Sequence, residues 1–228
     1  MANFLGPRVS RISRSIPLLP SVPIRHVFNS YPAKRHLNDI LKLELVLLEN
    51  EDKIKSLWFS YHNVKPGIVP SSLSSKEYNL LEQRHKKCTL NIYPIYRNRG
   101  FFLLLSQYQD ANHTVFCNFE DFKKDPHTAM PWMVVTLYTE LAKSKNLILL
   151  RADITNRNLK KEEAIRVLKL WKLMYLDPSG DFYAHVEKLN LNPSEFSMER
   201  FLKQLPENLD EVKESTCLTS HSIIFLIT

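Results

Sequence analysis

The chain reads as a single α+β domain, a mainly antiparallel sheet packed by helices, behind a basic leader. Three observations predict this. Apolar segments between residues 90 and 117 are separated only by short polar turns, which leaves no room for crossover helices and makes the strands an antiparallel meander. Amphipathic helical patterns lie before and after the strand-rich part, the order of an α+β domain. The first 38 residues hold no aspartate or glutamate, so the globular part starts only near residue 36.

The elements follow in chain order. Ile54, Leu57, Trp58 and Tyr61 recur with helical spacing over residues 51–62, behind Asn50 as cap and the first-turn acids Glu51 and Asp52. Ser74 and Glu77 form a capping box before a second helix that carries Tyr78, Leu81, His85 and Cys88 on one face. Leu90–Tyr96 is a strand that Pro94 confines to an edge or a bulge. After the turn Asn98-Arg99-Gly100, Phe101–Tyr108 is apolar on both faces at first and so reads as central. Asp110-Ala111-Asn112 turns the chain into His113–Cys117. A short helix over Phe119–Lys123, a strand over Trp132–Tyr138, a helical turn over Thr139–Ser144 and a strand over Leu147–Asp153 complete the block. The helix Lys160–Tyr175 aligns Ala164, Val167, Leu168, Trp171, Met174 and Tyr175 in a stripe that covers a sheet face, and Asp177-Pro178 stops it. A short helix near Glu195–Leu205 follows.

The leader carries Arg8, Arg11, Arg14, Arg25, Lys34 and Arg35 among several serines. Basic, serine-rich and acid-free is the composition of a mitochondrial transit peptide, addressed to the import machinery. The expected division is therefore a transit peptide at 1–35, a domain at 36–212 and an unassigned tail at 213–228. Without those six cations the chain's 31 Lys+Arg fall to 25 against 24 Asp+Glu. A nucleic-acid binder needs a basic surface of its own to neutralise phosphates, so no nucleic-acid partner is expected. No apolar run approaches the roughly 20 residues of a membrane helix, so no membrane insertion is expected. Three cysteines, Cys88, Cys117 and Cys217, form no framework and fit a reducing compartment.

Motifs for chemistry are scarce. The four glycines, Gly6, Gly67, Gly100 and Gly180, are dispersed, whereas phosphate-binding loops need them clustered. His113 and Cys117 lack a second pair to complete a zinc site. Neither a cofactor nor a metal is expected. Ser106, Asp110 and His113 lie within eight residues, but a triad is a three-dimensional arrangement. Glu120/Asp121 and Glu162/Glu163 read as helix-start acids that complement the macrodipole.

Several blocks resemble the mitochondrial ATP synthase F₁ assembly factors of the beta-subunit-binding type, the ATP11 family. They are residues 37–44, Leu57-Trp58 with Tyr61-His62 and Lys65, Tyr93-Pro94-Ile95-Tyr96-Arg97 with Gly100 and Phe101-Phe102, Phe119–Lys123, and Tyr138-Thr139-Glu140-Leu141-Ala142 followed by Lys145 and Leu147–Arg151. The resemblance covers about residues 36–176. Asn146 stands where the family has glycine, and Ala152-Asp153 where it has a glycine-acid pair. The resemblance implies a non-enzymatic chaperone of the mitochondrial matrix. Such a chaperone holds the free F₁ beta subunit and releases it when the alpha subunit joins. A client surface is expected among the aromatics Phe102, Tyr108, Trp132 and Tyr138, with Arg97 and Glu140 at its rim. Two other classes stay open: a different mitochondrial complex-assembly adaptor, which client identity would reveal, and a hydrolase using His113 with a nearby acid.

Overall fold

Serine, asparagine and proline set the element boundaries. The computed structural model describes residues 35–98, 100–110 and 112–206. The leader expected at 1–35 (all but Arg35), Cys217 and the tail at 213–228 lie outside them. Strands β1 (Ile68–Ser74), β2 (Leu90–Arg97), β3 (Gly100–Asp110), β4 (His113–Asn118), β5 (Pro131–Tyr138) and β6 (Leu147–Ile154) form one sheet in the order β1-β6-β5-β4-β3-β2. Every neighbouring pair is antiparallel. Strands β2 to β6 are a meander, as the short turns predict, and β1 joins at the far edge beside β6. The helices are α1 (Leu43–Val46), α2 (Glu51–Asn63), α3 (Ser75–Lys87), α4 (Phe119–Lys124), α5 (Ala142–Lys145), α6 (Lys161–Leu176), α7 (Asp181–Leu191) and α8 (Met198–Gln204). No described helix is long and apolar enough to cross a membrane.

Local chemistry explains the starts. The Ser74 hydroxyl accepts the Glu77 amide at 3.2 Å, and the Glu77 carboxylate accepts the Ser74 amide at 2.7 Å, closing the capping box of α3. Asn50 caps α2 by accepting the Lys53 amide at 2.8 Å, and Asn118 caps α4 through the Glu120 amide at 2.8 Å. Asn146 ends α5 at φ 51°, a left-handed conformation that asparagine tolerates, and its side-chain oxygen accepts the Ser75 amide at 3.1 Å. Asn146 therefore makes the turn and adds a tie to α3.

Both edge strands carry an inward-bonded ladder and an outward proline. The Thr89 carbonyl accepts the Tyr108 amide, so alternate residues Leu90, Ile92 and Pro94 aim their backbone groups away from β3. Pro94 has no amide hydrogen to leave unpaired there. The Asn190 side chain, from α7, bonds both the Leu90 amide (3.0 Å) and its carbonyl (2.7 Å). On β1 the same parity, set by the Ile154 amide on the Gly67 carbonyl, turns Pro70 outward. Lys172 of α6 then donates to the outward Ser72 carbonyl at 3.3 Å. These are devices that protect a sheet edge.

The sheet separates two apolar clusters. Ile148, Leu150 and Ala152 of β6 belong to the main core with Val167, Leu168, Trp171 and Met174 of α6. The alternate residues Leu147 and Leu149 meet Ile54 and Trp58 of α2, together with Leu37, Ile40 and Leu41, in a second core. The Trp58 indole N–H donates to the Leu150 carbonyl at 3.0 Å, which removes the polar cost of burying it. Three elements go beyond the sequence reading: the short helix α1, β1 and α7. β1 contains Pro70 and three serines, weak strand formers that pairing with β6 overrides, and α7 follows directly on the Asp177-Pro178 stop.

Candidate functional site

The β2–β3 hairpin holds the aromatic surface at the open end of the sheet. Gly100, at φ 146°, takes a backbone shape that side chains rarely adopt, and this brings Arg97 opposite the start of β3. Tyr96 and Phe101 face each other across the ladder with ring centres 5.7 Å apart, and Tyr96 is 50% exposed. Phe102 falls on the other face by strand alternation. Its ring lies 4.8 Å below the Arg97 guanidinium and 5.6 Å from Trp132. Trp132 sits in a bulge of β5, between the pairs Phe116–Met133 and Cys117–Pro131, and the bulge aims its ring towards Phe102.

A single carboxylate ties this hairpin to α6. Arg97 donates to Glu163 through Nε (2.8 Å) and Nη2 (2.9 Å), and Nη2 also donates to the Asn158 carbonyl at 2.6 Å. Glu163 further accepts the Lys160 amide at 2.9 Å at the start of α6. Burial on its own would raise the Glu163 carboxyl, but the Arg97 and Lys160 hydrogen bonds outweigh it and hold it below the ordinary carboxylate range. One turn further along α6, Arg166 lies 6.0 Å from the Tyr96 ring. Pro94, Ile95, Tyr96, Glu163 and Arg166 line a cleft of about 380 Å³ between hairpin and helix.

The structure brings three of the six sequence-predicted site residues together: Arg97, Phe102 and Trp132. Trp132 is 9% exposed and supports Phe102 from beneath. The other three lie elsewhere. Tyr108, at the far end of β3, is half-buried against His85 with ring centres 4.6 Å apart, and burial pushes its phenol up to about 12. Tyr138 is a core residue, 2% exposed and packed edge-on against Trp58, so its ring offers no surface to a partner. That placement corrects the surface role expected for it: it ends β5 facing the second core, and α2 covers it. Glu140 is exposed in the turn before α5, away from the hairpin.

Sequence reasoning missed Tyr96, Glu163 and Arg166. Glu163 reads in sequence as a helix-start acid, and it does serve α6 that way while also holding Arg97. An arginine beside a stripe of apolar residues on α6 was the available signal for Arg166. The local Ser106-Asp110-His113 cluster does not assemble as a triad. His113 bonds Asp110 at 2.9 Å, but Ser106 lies on the opposite sheet face by register and donates to the Tyr93 phenol.

The family model described as ATP11 protein matches residues 23–202, which include every described strand and most of the helices. The chain belongs to the ATP11 family. The match extends past the expected limit near residue 176, through α7 and into α8, and it begins within the segment read as leader. A curated relative from Danio rerio, ATP synthase mitochondrial F1 complex assembly factor 1, is 23% identical over 172 residues. That alignment covers 75% of this ATP11-family chain and 56% of the relative, so the chain spans about half the relative's length.

Proposed function

We propose that this ATP11-family protein is a mitochondrial assembly chaperone. It holds the free beta subunit of the F₁ ATP synthase in the matrix and gives it up when the alpha subunit joins. The family membership carries this reading, and the relative's name, an F1 complex assembly factor, supplies the kind of client. The geometry supports it with a surface of the right kind. Tyr96 is 50% exposed, Phe101 and Phe102 are half-buried, and Arg97 sits at their rim. Aromatic side chains with an arginine at hand are the residue types that dominate protein interfaces. A surface of this modest size suits a holder that must also let go. The task is to hold and not to convert, so it calls on no catalytic group.

The test is co-expression of the chain with the F₁ beta subunit, and separately with alpha, followed by size-exclusion chromatography. The expected result is a soluble one-to-one complex with beta that dissolves when alpha is added. The double variant Tyr96→Ser with Phe101→Ser is expected to lose that complex while keeping its fold. Beta that elutes alone or aggregates beside the unaltered chain would end this reading.

A further inference from the structure

Arg166 is the one element of the cleft whose bonding is incomplete. Its Nε is buried without a hydrogen-bond partner, and among the described residues no carboxylate forms an ion pair with it. The acid nearest in sequence is already committed. Both oxygens of Glu163 are taken, one by Arg97 Nε and the other by Arg97 Nη2 and the Lys160 amide. A half-buried guanidinium with no carboxylate partner has lost part of its hydration, and a carboxylate that reaches its terminal nitrogens offsets that cost. The rest of the wall is apolar: Pro94, Ile95 and the face of the Tyr96 ring. Arg166 thus places a cation in the wall of the cleft, 6.0 Å from that ring.

We propose that this cleft takes a protein segment in which a carboxylate side chain stands next to an apolar one. The carboxylate pairs with Arg166, for which guanidinium geometry is suited, and the apolar side chain fills the slot against Tyr96 and Pro94. The volume of about 380 Å³ accommodates one large side chain and the adjoining backbone. This inference deepens the proposed function and rests on it for the identity of the client, which would present the acidic-apolar segment. The Arg97–Glu163 pair shapes the slot without entering the contact, because its charges are already satisfied.

Two measurements on the full chain test the cleft and the client separately. The first follows amide and arginine side-chain NMR shifts on titration with Ac-Phe-Asp-NH2 and with its neutral twin Ac-Phe-Asn-NH2. The expected result is a shift of Ile95, Tyr96 and Arg166 by the acidic peptide that far exceeds the shift by its twin and that vanishes in Arg166→Gln. Equal shifts from both peptides, or none from either, would overturn the proposal. The second measures beta-subunit affinity for the unaltered chain, Arg166→Gln and Arg166→Glu, each with its melting temperature recorded. Arg166→Gln is expected to weaken the complex about tenfold at an unchanged melting temperature, and Arg166→Glu more. Unchanged affinity of a folded Arg166→Glu would overturn the cleft's part in client binding. Failure of the unaltered chain to bind beta would instead remove the client, and the peptide titration would still decide the cleft.

Discussion

The two ends of β3 carry similar aromatic groups with opposite fates. At its start, Phe101 meets Tyr96 on one face and Phe102 meets Trp132 on the other, and Tyr96 stays 50% exposed. At its end, Tyr108 joins His85, Trp171 and Tyr175, and α3 and α6 close over them until the last three are at most 1% exposed. The cationic groups differ in the same sense. At the open end Arg97 is held by Glu163, whereas His85 is stripped of water, has no partner at either ring nitrogen, and is lowered by burial to about 3. The ring content is nearly equal, so helical cover decides whether an aromatic cluster stabilises the fold or stays available for contact.

Substitutions should separate the two ends by stability. Trp171→Ala removes a wholly buried indole from the sealed end and is expected to cost about 3–5 kcal/mol, read from urea denaturation. A loss under about 1 kcal/mol would mean that the closed cluster is not a packing unit.

Buried histidines on both sides of the sheet, His85 against Trp171 and His62 against Trp58, also set an acid limit. Burial holds His85 at about 3 and His62 at about 4 in the folded chain, against 6.5 for an ordinary histidine. Protonation therefore favours the unfolded state. Their contribution is complete above pH 6.5 and is lost as pH falls towards 4, at about 1.4 kcal/mol per pH unit for each histidine. Unfolding free energy measured between pH 7 and 5 should show this slope, and His85→Phe should reduce it. An identical slope in that variant would shift the acid sensitivity to other groups.

The open end should respond weakly in stability. Glu163→Ala frees Arg97, which is 45% exposed, and is expected to cost only about 1 kcal/mol. Hydrogen exchange at Ile95, Arg97 and Phe102, whose amides point into the β2–β3 ladder, should quicken while the amides of β6 stay protected. Smallest of all, Tyr96→Ser should change stability by less than about 0.5 kcal/mol, the range of surface substitutions. A melting temperature that drops as far as that of Trp171→Ala would erase the distinction between the two ends.

Much of this architecture is legible in the sequence, because the informative residues act locally. The Ser74–Glu77 capping box, the edge placement of Pro94 and the apolar stripe of α6 each depend on spacing within one element. What escapes depends on partners far along the chain. β1 is a strand because β6 supplies its ladder, and Pro70 is acceptable only because the strand lies at an edge. The candidate site divides in the same way. Phe102 and Arg97 are neighbours across a hairpin and could be paired from sequence, but Arg166 and Glu163 reach Tyr96 and Arg97 from more than 60 residues away. Tyr138 misleads for a related reason: an aromatic residue at a strand end looks like surface until α2 is seen to cover it.

If the proposed function holds, the outward prolines and capped backbone groups at both sheet edges limit how a client is held. An exposed strand edge is a template on which other chains add into ladders. A sheet whose own margins are closed by Pro70, Pro94, Asn190 and Lys172 cannot seed or extend such a ladder. On the proposed function, attachment falls to side chains on the hairpin, contacts that come apart one at a time. Main-chain addition would tend towards permanence, whereas this construction favours turnover.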